Sequence, residues 1–270
     1  MKFKFRSKLT AVFVGTAILP LAAAMGFMLT QMRSGYIENA VSLQQKISDA
    51  AAQEFSDFIR RQFITLEEVA RIHLTQALSR ESKENLTDLI LFSNKAFVEI
   101  IVTDVSGQEI LRKHRLRVIQ PEEFVSRSDD EAFLNVKEAR VYIGPISVDE
   151  GKPQFVVSMA ILDAFQNFRG VVIATIDAGA MQRVVDSLSA VGEGGRAYAV
   201  DKRGVVVAHP DFSNVLAERD FSFVHIVAHI RDDGKSPDFR KPYENELGQK
   251  VLGSFSSVRL NLEGIVPMPF

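Results

Sequence analysis

The polar and apolar positions of this chain fall into three regimes. From Leu9 to Met32 run 24 residues without a charge, which as a helix rise about 36 Å, enough to cross the hydrocarbon core of a bilayer with some tilt. Downstream there is no second run of this kind. Between residues 34 and 80 the pattern changes: apolar side chains recur at Ile37, Val41, Ile47, Ala51, Phe55, Phe58, Leu66 and Val69, with polar faces between them and no Gly or Pro after Gly35. This predicts one long amphipathic helix, with room for a break, of up to about 70 Å. Such a helix needs partners for its stripe, a downstream sheet or a second copy of itself. Beyond Glu84 the period becomes strand-like.

In that third regime Phe97 to Thr103 is rich in β-formers, Asp104-Val-Ser-Gly107 is a turn signal and Gln108 to Arg112 resumes an extended pattern, so the stretch reads as a hairpin. The charged segment from His114 to Ser128 reads as loop or short helices. Three strands are expected at Arg140 to Val148, interrupted by Gly144-Pro145, at Gln154 to Leu162 and at Gly170 to Ile176. A helix follows Asp177, with Met181, Val184, Val185 and Leu188 on one face. After Gly192-Glu-Gly-Gly195, Ala197 to Ala208 repeats the hairpin signal around Asp201-Lys-Arg-Gly204. The two D-x-x-G turns lie 97 positions apart, a spacing that suits two similar modules of small-domain size. Phe221 to Ile230 is a short helix candidate, Asp232 to Pro242 a loop, and Gln249 to Leu260 a last strand pair.

Composition narrows the classes. The chain has 270 residues, 46% of them apolar and 24% charged, and neither Cys nor Trp; that is globular rather than disordered, and it excludes disulfides, thiolate metal sites and thiol nucleophiles. Four basic residues stand in the first eight positions (Lys2, Lys4, Arg6, Lys8), which leaves 28 basic against 34 acidic residues in the rest, a poor match to nucleic acid. The same four charges precede the apolar run and only Arg33 follows it closely, so the basic bias places the N-terminus in the cytoplasm and residues 33–270 outside. A cleaved signal with Ala22-Ala23-Ala24 as its cleavage site is the competing reading. Met25, Phe27, Met28 and Leu29 extend the apolar run past that site, which favours a retained anchor.

A basic stub, one span, a long ascending helix and two successive modules resemble the double-Cache extracytoplasmic sensor domain of bacterial transmembrane receptors. The resemblance is carried by Val141-Tyr-Ile-Gly-Pro145, by Val171 to Asp177, by the stretch Gly194 to Asp211, and by Val215-Leu216 and Arg219-Asp220-Phe221-Ser222. It covers about residues 9–260 and implies an α+β fold: an N-terminal transmembrane helix continuing into a long helix, then two PAS-like modules with antiparallel sheets. The expected division is a cytoplasmic stub 1–8, a transmembrane helix 9–32, a stalk helix 33–82, a membrane-distal module 83–190 and a membrane-proximal module 191–270. The last is cut short at Pro267-Met-Pro-Phe270, where the family would complete a strand and enter a second span. The resemblance also implies a small ligand in the distal module, a kinase, cyclase or chemoreceptor output beyond the sensor, and a plasma-membrane location.

Catalytic and metal signatures are sparse. Neither G-x-S-x-G nor H-E-x-x-H occurs. Gly234-Lys-Ser236 lacks the earlier Gly of a phosphate loop, since residue 229 is His, and Gly192 to Gly195 precedes a strand rather than a helix. His225 and His229 share a helix face, with His209 and Asp211 as imaginable further ligands, but surface or partly buried histidine is the simpler reading. No cofactor is expected.

The ligand site is expected on the face of the distal sheet not covered by the long helix, with residues 114–139 as a lid. In family members that grip amino acids, an Arg and a Trp-Tyr pair in the lid hold the carboxylate and an Asp at the last strand's end holds the ammonium. Asp177 matches that strand end, with the N-cap of the next helix as its competing role; Phe133-Leu134 stand nearest the aromatic pair, and the missing Trp argues against an amino-acid ligand. Arg115 or Arg117 would supply bidentate donors to a carboxylate, with Tyr142 and Ser158 adding polar contacts. The expected function is sensing of a small molecule by a membrane-anchored homodimer paired through its stalk. A periplasmic enzyme on the same frame, or an interaction protein without signalling output, are the alternatives.

Overall fold

The computed structural model describes residues 3–189, 196–233 and 238–260. Gly192–Gly195, Gly234–Ser236 and Pro267–Phe270, all singled out above, lie outside the described residues, as do the first two residues of the stub.

Helix α1 (Phe3–Leu74) runs for 72 residues, roughly 110 Å. Its N-terminal part is long and apolar enough to cross a membrane, and it presents Phe13, Leu21, Met25, Phe27, Met28 and Leu29 outward. From Phe55 onward the same helix buries one stripe: Phe55, Phe58, Ile59, Phe63, Leu66, Val69 and Ala70 recur at three and four residues and enter the main core. Each large apolar side chain so buried contributes about 2 kcal/mol.

The helical pattern does not stop at Glu84. After Leu74 a second helix, α2 (Arg80–Ser93), begins at Ser79, whose Oγ accepts the Ser82 N–H at 3.1 Å. An Arg80–Glu84 pair at 2.9 Å supports its first turn. The strand-like period expected beyond Glu84 therefore begins only after Ser93; within α2 Leu91 is fully buried in the core beneath the helix, while Phe92 is exposed. The expected stalk boundary at residue 82 falls inside α2.

The central sheet is antiparallel, with order β2-β1-β5-β4-β3: β1 (Phe97–Thr103), β2 (Glu109–His114), β3 (Val141–Asp149), β4 (Lys152–Leu162) and β5 (Phe168–Asp177). Gly144-Pro145 do not interrupt β3; they sit in a bulge between Ile143 and Ile146 while the strand continues. A second irregularity, next to Ile161/Leu162, places Gly170 against β1. With φ +145°, a Cβ there would lie 2.0 Å from the Thr103 carbonyl oxygen.

Period-two alternation gives the sheet two faces. Ile100, Val102, Val157, Met159, Val172 and Ala174 face α1 in the main core. Ile101, Ala160, Val171 and Ile173 face the opposite way, under helix α3 (Glu131–Ala139). Helix α4 (Gly179–Ser189) then packs Met181, Val184 and Val185 into the main core, as its spacing predicts.

The C-terminal part has smaller sheets: β6 (Ala199–Val200) with β7 (Val206–Ala208), and β8 (Tyr243–Glu244) with β9 (Lys250–Val251). Helices α5 (Ser213–Leu216) and α6 (His225–Asp233) complete a separate core of Val206, Val215, Phe221, Val224, Ile226 and Val227. The expected helix at Phe221 starts only at His225, because the Phe221 N–H is committed to the Gly204 carbonyl at 2.8 Å. The last strand pair also differs: only Lys250–Val251 pairs, and residues 252–260 run along α1. There Ser48 and Ser254 hydroxyls meet at 2.8 Å and Ser56 donates to the Arg259 carbonyl at 2.7 Å.

Candidate functional site

Four turns share one construction. At Asp104, Asp163, Asp201 and Asn245 the side-chain Oδ1 accepts two backbone N–H groups from the next residues, and the backbone closes between the residue itself and the one four positions on. The fourth position carries positive φ in each, filled by Gly107, Gln166, Gly204 and Gly248. Two of these turns close hairpins of the central sheet and two close the C-terminal pairs. The sequence reading found only the first and third.

The Asp104 turn roots the segment expected to be a lid. Arg127 N–H donates to the Gly107 carbonyl at 2.7 Å and Glu109 N–H to the Val125 carbonyl at 3.2 Å. The fully buried Glu109 carboxylate accepts from Arg127 Nε at 2.7 Å and the Val125 N–H at 3.1 Å; Arg127 also pairs with Asp130 at 3.0 Å. Burial works against the Arg127 charge, but these hydrogen bonds outweigh it and raise its pKa.

Thus anchored, the chain enters α3 at Asp130 and lies across the far face. Phe133 and Val136 are fully buried against Ile101, Ala160, Val171 and Ile173; the Phe168 ring meets Phe133 edge-on at 6.0 Å and Lys137 Nζ sits 4.6 Å from the Phe133 centroid. Two polar contacts fix the first turn of α3 to the sheet. Ser158 Oγ donates to the Ala132 carbonyl at 2.7 Å, and Tyr142, opposite Ser158 in register, donates its hydroxyl to Glu131 at 2.8 Å. Partial burial, followed by the Glu131 carboxylate, raises the Tyr142 pKa.

The structure therefore brings Phe133, Tyr142 and Ser158 together. Asp177 ends β5 on the same alternation, half-buried, with Oδ1 accepting the Gly179 N–H at 2.6 Å at the start of α4. Arg115 and Arg117 are elsewhere. Arg115 donates to the carbonyls of Phe97 (2.7 Å) and Asn94 (2.6 Å) and to that of Leu91, closing the C-terminal end of α2. Arg117 lies 3.8 Å from Glu123 and is more than half exposed.

The sequence reading missed the Glu99–Arg112 ion pair, at 2.8 Å with side chains only 13% and 16% exposed. Alternation puts Glu99 on the face of Ile101, and Arg112 stands opposite Ile101 in register. A glutamate inside Phe97-Val-Glu-Ile-Ile-Val was the available signal. Thr175 pairs with both Glu99 and Val156 and is half-buried. This face so carries a guanidinium, two carboxylates and two hydroxyls, of which Arg112 pairs with Glu99, Tyr142 with Glu131 and Asp177 with the Gly179 N–H.

Elsewhere, His225 and His229 stack on α6 with centroids 6.0 Å apart, while His209 is buried against Tyr198 and Phe221. Among the described residues no group of three or more His, Asp or Glu is arranged to hold a metal ion.

A family model described as Cache domain matches residues 30–265. Among solved structures, the chain is similar to the ligand-binding domain of the Pseudomonas aeruginosa PAO1 amino acid chemoreceptor PctC in complex with GABA (TM-score 0.61, 19% identity, covering 81% of this chain and 92% of that one). It is also similar to the ligand-binding domain of Pseudomonas fluorescens chemoreceptor CtaA with L-serine (0.55, 16%, 79% and 88%) and to the sensory domain of Campylobacter jejuni chemoreceptor Tlp3 with isoleucine (0.52, 15%, 75% and 82%). At these identities the likeness is one of fold. No curated protein sequence gives a significant match.

Proposed function

The chain belongs to the Cache domain family, and from that premise we propose that it is the extracytoplasmic sensing part of a membrane-bound signalling receptor. The observation that carries this reading is the placement of α3 and α1 on opposite faces of one sheet. A molecule bound beside α3 on the far face acts on strands whose other face grips α1, and α1 continues into the apolar segment that we assign to the membrane. Binding changes output only through different affinities for two arrangements of α1. Pairing of two copies along α1 would give those arrangements a readout; no catalytic step is required.

We place the ligand on the far face near Tyr142, Thr175 and Asp177, with Phe133 and Ser158 holding the α3 roof, while Arg115 and Arg117 serve the neighbouring α2 end and lid segment. GABA, L-serine and isoleucine, the molecules in the neighbouring structures, each carry an ammonium and a carboxylate. Asp177 and Glu99 suit the first charge and Arg112 the second. Isothermal titration of the full chain in lipid nanodiscs with these three compounds tests the site. Binding weakened at least tenfold by Asp177→Asn supports it; binding indifferent to both Asp177→Asn and Arg112→Gln refutes it.

A further inference from the structure

The C-terminal module contains a cavity of its own, about 310 Å³, bordered by His209, Asn214, Phe221, Phe223, Glu246 and two arginines, Arg196 and Arg219. It lies at the lower end of the volumes that hold small ligands, about 300 Å³, and exceeds what a single water needs. The ring of His209, 1% exposed, forms part of its wall. Nδ1 of that ring accepts the Asp211 N–H at 2.9 Å and faces the Asn214 amide nitrogen at 3.0 Å, with the Asp211 carbonyl oxygen farther off at 3.1 Å; two donors at the shorter distances against one acceptor make Nδ1 the accepting atom. An acceptor at Nδ1 puts the proton of the neutral ring on Nε2. That Nε2 is buried and, among the described residues, has no hydrogen-bond partner. Glu246 Oε1 is 4.0 Å away, too far for a bond, and is held by Arg196 at 3.3 Å.

We propose that this cavity is a second ligand site, one that takes a small, net-neutral molecule bearing an amide edge. The carbonyl oxygen of such an edge accepts from His209 Nε2, and its N–H donates to Glu246. The 4.0 Å gap between those protein atoms leaves room for the oxygen and nitrogen of one amide, both carried on its carbonyl carbon, to bond one to each in slightly divergent directions. Net neutrality follows from the border, where Arg196 and Arg219 balance Asp211 and Glu246. The Phe221 and Phe223 rings, edge-on to one another with centroids 6.0 Å apart, give the cavity an apolar side, and Phe223 is largely exposed. The backbone of His209 is clamped by Gln182 of α4, whose amide accepts from the His209 N–H at 3.2 Å and donates to its carbonyl at 2.7 Å. A ligand here therefore pulls on the helix that leaves β5 at Asp177, without occupying the first site.

The test is long-range ¹H–¹⁵N imidazole NMR of the full chain labelled at histidine, with nicotinamide and uracil as amide probes and benzoate as a charged probe of similar size. His209→Asn keeps an acceptor where Nδ1 stands, deletes the Nε2 donor, and assigns the His209 signals by their loss. The expected result is a saturable shift of His209 Nε2 with an amide probe, and binding weakened at least tenfold in His209→Asn and severalfold in Glu246→Gln. No Nε2 shift with either amide up to 10 mM, as when the cavity holds water alone, overturns the proposal. So does a stronger response to benzoate, or unchanged binding in His209→Asn; if that variant does not fold, unchanged binding in Glu246→Gln overturns it.

Discussion

His73 makes the junction of α1 and α2 sensitive to acid. It stands in the last turn of α1, its Nε2 3.3 Å from Thr87 Oγ1 of α2, and its carbonyl accepts from Lys83 Nζ at 2.9 Å. Burial first, then the Lys83 charge, lowers its pKa from 6.5 to about 4. A histidine depressed in the folded state gives stability that is complete above its unfolded pKa and lost as pH falls through the interval from 6.5 to about 4. Proton linkage across that interval gives a loss of about 2 kcal/mol between pH 7.5 and 5, rising to about 3 at pH 4. For a chain of this size that is a fall in Tm of about 4–8 °C by pH 5. The assay is thermal unfolding of the full chain in detergent at pH 7.5, 6 and 5, with His73→Gln alongside, a neutral side chain that still reaches Thr87. Carboxylates held low by hydrogen bonds, such as Asp104 and Asp211, lose their contribution only at lower pH. Wild type should lose several degrees more than His73→Gln over this range; equal losses would refute the argument.

Gly170→Ala should cost about 3 kcal/mol or more, because the new Cβ meets the Thr103 carbonyl oxygen at 2.0 Å; Gly151→Ala, with nothing within 4 Å of its Cβ, should cost only about 1 kcal/mol from its positive φ. Chemical denaturation compares the two. Phe133→Ala removes a fully buried ring and should lower stability by about 3–5 kcal/mol, with hydrogen exchange of α3 amides accelerating before those of β5. Tyr142→Phe, by contrast, deletes one partly exposed hydrogen bond to Glu131 and should cost about 0.5–1 kcal/mol, visible as slightly faster exchange in the first turn of α3 without loss of the sheet.

What could be read directly were features whose cause is local. The uncharged run to Met32, the stripe through Phe55 and Leu66, and the Asp104 and Asp201 turns are each fixed by a period or by hydrogen bonds within five residues. The Asn245 turn belonged to the same class and was legible as N-x-x-G. The Asp163 turn was not, because Gln166 takes the positive φ that Gly takes in the other three. The change of period was set too early, at Glu84, because the apolar triplet Ile90-Leu91-Phe92 reads alike in a strand and in a helix that leaves Phe92 exposed.

The site depended on contacts that no window of sequence contains. Ser158 and Ala132 meet across 26 positions, and Arg115, a plausible carboxylate donor by composition, is drawn into capping α2 by carbonyls more than 15 residues upstream. Sequence by itself determined the anchor-length apolar helix, the alternation of the strands and the repeated turns, since periodicity and short-range hydrogen bonding suffice for those. Only the tertiary structure decided which polar groups are consumed in holding α3 and α2 in place and which remain to meet a ligand, because a buried donor takes whichever acceptor the packed chain brings within reach.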